Sequence, residues 1–199
     1  AKARGQLLSC YHLKVKSELD NSNGRKYGLG SSGAVTVATV KALNVFYDLE
    51  MDTLTQFKIA ALAHLAVQGN GSCGDIAASC YGGWIAFSTF DSQWVKEKQA
   101  QWSLSTLLET DWPMLSIQPL EVPKNLPLVI GWTGSPASTS DLVDQVHQSK
   151  EVAESAYQTF LKDSRECVEE MIAGFTNKNI PVIKQMITKN RALLNTLSS

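Results

Sequence analysis

Apolar and polar residues change rhythm several times along the chain. Tyr11, Leu13 and Val15 alternate with His12, Lys14 and Lys16, a period of two that predicts a strand with one solvated face and puts His12 on the surface. A turn cluster, Asp20-Asn21-Ser22-Asn23-Gly24, and a glycine-rich stretch follow. Residues 34–47 are then apolar on most sides, and their length, with the Lys41-Ala42-Leu43 continuation, predicts a buried helix. Asp52 or Thr53 is placed to cap a second helix carrying Phe57, Ala60, Ala61 and Leu65, with His64 packed among them. A second glycine-rich loop over 69–74 leads into a short helix from Asp75 to about Tyr81, then a strand over 84–88. Asp91 or Ser92 caps the next helix, which carries Trp94 and Val95.

Around Asp111-Trp112-Pro113 the texture changes. Strands are predicted over 115–120 and 128–132, with Pro119, Pro123 and Pro127 around their connection. From Asp141 onward the pattern is helical. Val168, Met171, Ile172 and Phe175 recur at helical spacing, as do Ile183, Met186, Ile187 and Leu194, and these stripes are read as core or inter-helix contacts. The shift places a boundary near residue 110.

Composition narrows the class. With 199 residues, 44% hydrophobic and 19% charged, the chain can bury a core and reads as globular. A formal net charge of -1 and a pI near 6.4 give no reason to expect nucleic acid or an anionic membrane as partner, and no apolar run is long enough for a membrane span. The basic start, Ala1-Lys2-Ala3-Arg4-Gly5, has no apolar signal core behind it and no Met before it, so further chain is expected upstream. Cys10, Cys73, Cys80 and Cys167 form no Cys-x-x-Cys pair and no zinc spacing with the three histidines. Free thiols and a cytoplasmic location are the expectation.

Two segments match Gly-x-Gly-x-x-Gly: Gly28, Gly30, Gly33 and Gly69, Gly71, Gly74. Neither sits in a strand-turn-helix-strand setting, which argues against a nicotinamide cofactor, and neither the Walker pattern nor Gly-x-Ser-x-Gly occurs. The physical content of the first segment is an anion site. Glycines allow close approach of backbone, and Ser31 and Ser32 open a helix whose first turn leaves N–H groups without intrahelical partners. Serine hydroxyls add donors, or an oxygen for Mg²⁺, and Arg25 and Lys26 supply positive charge immediately before. An ordinary turn and cap accounts for one glycine and one serine, not for all of these together.

Lys26-Tyr27-Gly28-Leu29-Gly30-Ser31-Ser32-Gly33-Ala34 resembles the phosphate-binding signature of the GHMP kinases, Pro-x-x-x-Gly-Leu-Gly-Ser-Ser-Ala. Gly24 stands where that signature has Pro, and Gly33 where it has Ala. Within the family, the Lys-Tyr-Gly-Leu-Gly-Ser-Ser form is similar to bacterial phosphomevalonate kinases. Ser72-Cys73-Gly74-Asp75-Ile76-Ala77, followed by Tyr81-Gly82-Gly83-Trp84, resembles the segment carrying the family's active-site aspartate. Ile130-Gly131-Trp132-Thr133-Gly134-Ser135-Pro136-Ala137-Ser138 is similar to the loop that opens the C-terminal domain. The resemblance covers essentially the whole chain.

It implies an α+β fold of GHMP kinase-like two-domain architecture, incomplete at both ends. Residues 1–110 would belong to the N-terminal ATP-binding domain and 111–199 to the C-terminal domain. An early lysine-bearing strand region and a late Ser-Gly-Ala-Gly-Gly-Gly-Asp loop are expected outside the chain. The implied reaction moves the γ-phosphoryl group of ATP, with Mg²⁺, onto mevalonate 5-phosphate to give mevalonate 5-diphosphate, a step of isoprenoid biosynthesis. Gly28, Leu29, Gly30, Ser31, Ser32 and Gly33 would cradle the ATP phosphates, with Ser31 or Ser32 on Mg²⁺. Lys26 would bridge donor and acceptor phosphates, Asp75 would orient the arrangement, and Ser72 and Ser138 would bind the acceptor. Asp75 as a plain helix cap is the alternative for that residue. For the whole chain the alternatives are mevalonate kinase, mevalonate diphosphate decarboxylase, or a non-catalytic nucleotide- or phosphate-binding module.

Overall fold

The computed structural model describes residues 5, 8–17, 30–69, 71–131 and 154–197. In order these form α1 (Ser31–Phe46), α2 (Thr53–Gln68), α3 (Gly74–Tyr81), β1 (Trp84–Ser88), α4 (Ser92–Gln101), α5 (Leu104–Glu109), β2 (Ser116–Leu120), α6 (Glu154–Thr176) and α7 (Ile180–Leu197). The fold is α+β, with β1 paired to β2. The chain divides into two compact units, Ala1–Pro119 and Leu120–Ser199.

In the first unit, three helices begin in the ordinary way, from an extended residue whose side chain accepts from the first turn. Asp52 accepts from the Thr55 N–H at 2.7 Å, Asp91 from Gln93 and Trp94 at 3.0 Å each, and Ser103 from Thr106 at 3.1 Å. The sequence anticipates the Asp52 and Asp91 caps. It gives no sign of α5, which is too short for a period to register.

The core of this unit centres on Phe57, which has no exposed surface and lies edge-on to Phe87 and Phe90 at 6.1 and 6.4 Å. Phe90 in turn meets Trp112 at 4.8 Å, and the Trp112 indole N–H donates to the Leu107 carbonyl at 2.9 Å, so the buried ring leaves no polar atom unmatched. Lys58 is buried beside them. Its ammonium donates to the carbonyls of Leu108 and Thr110 at 2.9 and 2.8 Å, closing the C-terminal end of α5. Burial pushes its pKa down, while the charges of Asp111 and Asp52 hold it up.

Two predicted strands are absent. Residues 8–17 form no ladder and are exposed throughout, so the alternation there does not sort two faces. Tyr11 instead packs on Phe46 and Tyr47 at 5.7 and 6.3 Å, and the Tyr47 hydroxyl donates to the Ser9 carbonyl at 2.9 Å. Residues 128–131 are likewise exposed and form no ladder, and Trp132 lies outside the described residues. In both places the residue types suit a strand, but no neighbouring strand among the described residues supplies the ladder that makes one.

In the second unit, α6 and α7 form a hairpin closed by Cys167, Phe175, Ile183 and Met186, all buried, with the Cys167 thiol donating to the Met186 carbonyl at 3.1 Å. Of the predicted stripe residues, Val168, Ile187 and Leu194 are exposed, so the apolar face of the hairpin is wider than its contact. The predicted helical start at Asp141 lies outside the described residues. No described helix is long and apolar enough to cross a membrane.

Candidate active site

Two helices of the first unit start differently from the rest. Gly30, before α1, has φ 71 and ψ 37, and Cys73, before α3, has φ 58 and ψ 23; neither N-terminus has a side-chain cap. A left-handed residue leading into a right-handed helix turns successive N–H groups to one side, the concavity that receives anions. Glycine adopts that conformation without cost, whereas at Cys73 it is strained and is held by burial of the thiol.

The two uncapped ends lie together. Only space for a hydrogen separates the Gly33 Cα from the Asp75 carboxylate: a Cβ on Gly33 would fall 2.5 Å from Oδ2, and one on Gly30 would fall 3.4 Å from the Asp75 Cβ. Eight residues further along α1, Lys41 donates to the carbonyls of Cys80 and Ser79, at 3.0 and 3.4 Å, in the last turn of α3. The start of α3 therefore faces the start of α1 and its end faces the middle of α1. The helices run side by side in the same direction, and their positive dipole ends converge at Asp75.

The loop before α3 is pinned from outside. Thr89 donates to the Ser72 carbonyl at 2.9 Å, and Lys96 donates to the Gly69 carbonyl at 2.8 Å. His64, buried on α2, lies under this loop, its Nε2 3.6 Å from where a Gly71 Cβ would stand. Ser72 is exposed, its hydroxyl accepting weakly from the Gly74 N–H at 3.4 Å.

The sequence-predicted residues thus fall into two groups. Gly30, Ser31, Ser32, Gly33 and Asp75 are together, with Ser72 three residues ahead of Asp75 on the pinned loop. Lys26, Gly28, Leu29 and Ser138 lie outside the described residues. Asp75 is not the cap of its helix: Cys73 holds that position, and the exposed Asp75 carboxylate faces α1. Sequence reasoning missed Cys73, Thr89 and Lys96. Nothing in a cysteine's identity signals a left-handed N-cap, and Thr89 and Lys96 act through contacts more than fifteen residues away in the chain.

The donor set can be tested for Mg²⁺. The described residues contain no group of three or more His, Cys, Asp and Glu side chains that would cage a metal. One carboxylate, Asp75, and the hydroxyls of Ser31 and Ser32 are hard oxygen donors in the first turns of these two helices. That fits a cation held mainly by phosphate oxygens and water, the usual manner of Mg²⁺. A cavity of about 560 Å³, by contrast, is lined by Met51, Asp52, Thr55, Lys58, Leu108 and Asp111 around the first turn of α2 and includes none of these donors.

Residues 2–83 match the family described as GHMP kinases N terminal domain. Over 171 residues, 86% of this chain and 46% of the relative, the sequence is 41% identical to the phosphomevalonate kinase of Streptomyces sp. (strain CL190). The chain belongs to the GHMP kinases. Among solved structures, this GHMP kinase chain is similar to Streptococcus pneumoniae phosphomevalonate kinase in complex with phosphomevalonate and AMPPNP. The TM-score is 0.84 at 32% identity, covering 98% of this chain and 57% of that one. A protein from Listeria innocua gives a TM-score of 0.84 at 46% identity, covering 92% and 51%. The chain spans about half the length of the relatives it matches.

Proposed function

We propose that the protein is an ATP-dependent kinase of mevalonate 5-phosphate, producing mevalonate 5-diphosphate and ADP, and that it works in the cytoplasm on small-molecule substrates. Residues 1–110 serve in this reading as part of the ATP-binding domain and 111–199 as part of the C-terminal domain. The observation that carries it is the meeting of two uncapped helix N-termini at one carboxylate, Asp75.

The chemistry asks for such a place. The acceptor is a phosphate with a second pKa of about 6, so its attacking oxygen is already largely ionised near neutral pH and a strong general base is unnecessary. The barrier is repulsion. Two unit charges at 4 Å oppose one another by roughly 4 kcal/mol at an effective dielectric of 20, and the two substrates bring several such pairs. With a net charge of -1, the chain has to offset this locally. The N–H groups at the start of α1, from Gly30 through Gly33, cradle the donor phosphates, as do Gly28 and Leu29. The start of α3 offers a second cradle for the acceptor phosphate, next to Ser72, with Ser138 as a further contact. Lys26 serves in this reading to bridge the donor and acceptor phosphates. Asp75 carries the same sign as both substrates, so a divalent cation against it offsets the repulsion that arises once the two phosphates are bound. Asp75 and the hydroxyl of Ser31 or Ser32 would hold Mg²⁺, which would supply charge neutralisation to the phosphates. The likeness to a phosphomevalonate kinase solved with phosphomevalonate and AMPPNP supports the choice of acceptor and donor.

Asp75→Asn in the natural full-length protein tests this reading. ADP release with mevalonate 5-phosphate is expected to fall about 100-fold or more, with the KM for ATP changed no more than about threefold. Turnover equal to that of the parent overturns the role of Asp75.

A further inference from the structure

The loop that leads into α3 bends easily. Gly69 and Gly71 have φ of 77 and 130, and Cys73 is left-handed at φ 58. Glycines admit many backbone conformations, so such a loop takes its shape from what holds it. Two ties reach it from one neighbouring stretch, residues 89–96: Lys96 donates to the Gly69 carbonyl at 2.8 Å and Thr89 to the Ser72 carbonyl at 2.9 Å. That stretch is fixed. Phe90 is buried, the Asp91 N–H donates to the Pro113 carbonyl at 3.0 Å, and the Asp91 side chain caps α4. Thr89 therefore stands as a firm post beside a pliant loop.

Holding the Ser72 carbonyl sets more than one atom. No described peptide bond is cis, and in a trans peptide C=O and N–H point in opposite directions. With the Ser72 oxygen held toward Thr89, the Cys73 N–H is turned the other way. A left-handed residue followed by a right-handed one forms a concavity from three successive N–H groups, here those of Cys73, Gly74 and Asp75. The first of the three belongs to the peptide that Thr89 holds. Cys73 gives that peptide a reason to turn over. A flip carries its φ from 58 to negative values and relieves the strain without moving the buried thiol. It would also take the N–H out of the concavity and put the Ser72 oxygen there, a negative dipole end against a bound anion.

We propose that Thr89 is a positioning residue, whose hydroxyl holds the Ser72–Cys73 peptide in the orientation that presents the Cys73 N–H to the acceptor phosphate. The role of that phosphate rests on the kinase reading above; the tie to the Ser72 carbonyl does not. Thr89 is exposed, so water competes for the carbonyl and the effect of losing the hydroxyl is partial. About tenfold is expected, against the roughly 100-fold of outright misplacement. The cradle at α1 has no share in this peptide, so ATP should not be affected.

The experiment compares Thr89→Val, which keeps the shape and removes the hydroxyl, with Thr89→Ser, which keeps the hydroxyl, in the natural full-length protein. For Thr89→Val the KM for mevalonate 5-phosphate should rise about tenfold, with the KM for ATP within about threefold, and Thr89→Ser should match the parent. A tie important only for stability would not separate the two substrates. A parent-like KM in Thr89→Val, an equal change for both substrates, or Thr89→Ser no better than Thr89→Val overturns the proposal. Labelling serine at its carbonyl carbon and cysteine at its nitrogen reads the peptide directly by NMR, with Ser9-Cys10 and Ser79-Cys80 as internal references. The Ser72-Cys73 signal should move in Thr89→Val and keep its place in Thr89→Ser. Should the parent prove unable to transfer phosphate, the kinase reading fails while this signal still decides the tie. A shift confined to Thr89→Val upholds it, and no shift, or equal shifts in both variants, refutes it.

Discussion

Lys41→Met addresses what keeps the two helix N-termini aligned. The parallel pairing of α1 and α3 has one anchor at Gly33 and Asp75 and a second where Lys41 donates to the Cys80 carbonyl at 3.0 Å, with a weaker approach to Ser79 at 3.4 Å. A hydrogen bond to a charged group contributes about 1.5–3 kcal/mol, and a cation at a helix C-terminus about 0.3–1 kcal/mol. Lys41 is itself exposed, so water recovers part of that in the variant. Methionine matches lysine closely in helix propensity and in length, so neither confounds the comparison. The net loss should be about 1–1.5 kcal/mol, or a fall of roughly 4–8 °C in melting temperature for a unit of about this size. Differential scanning calorimetry of parent and Lys41→Met measures it, and amide hydrogen exchange should locate the change in α3, whose eight residues have few other polar ties. A melting temperature unchanged to within about 1 °C, with α3 amides exchanging as before, would refute the reasoning. Packing alone would then align the helices.

Phe57→Ala removes the ring at the centre of the first unit's core and should cost about 3–5 kcal/mol in urea unfolding, because Phe87 and Phe90 lose their common neighbour. A loss under about 1 kcal/mol would place the core elsewhere. Burial, and secondarily the charge of Asp75, push the Cys73 thiol from an ordinary 9.0 up to about 11. A folded-state value above the unfolded one means that this group's stabilisation is complete below about pH 9 and is lost as pH climbs through about 11. The difference in urea midpoint between parent and Cys73→Ala should accordingly shift in favour of the variant between pH 8 and pH 11, and a constant difference contradicts the assignment. At neutral pH the exposed Cys10 should react with a thiol reagent well before the buried Cys73, Cys80 and Cys167.

The local elements were legible where one residue type decides them. Asp52 and Asp91 announce helix starts because a carboxylate after an extended residue satisfies orphan N–H groups, and the strand over 84–88 follows Gly82-Gly83 as its residue types require. The helix entrance at Ser31-Ser32 was legible as composition: glycines and hydroxyls where a helix begins. The reading failed at 11–15 and 128–131, because alternation states only that a segment suits a sheet. Whether it joins one depends on a partner strand elsewhere.

By itself, the sequence determined that a helix opens at Ser31-Ser32 and which hydroxyls and carboxylates stand near the helix starts, because glycines, hydroxyls and charges act within a few positions of the chain. Tertiary structure alone decided that α1 and α3 run in the same direction, that both begin from left-handed residues without side-chain caps, and that Asp75 rests against Gly33. Those facts join positions about forty residues apart. They arise from the packing of Val37, Ile76 and Phe57 into one core, which no local pattern encodes.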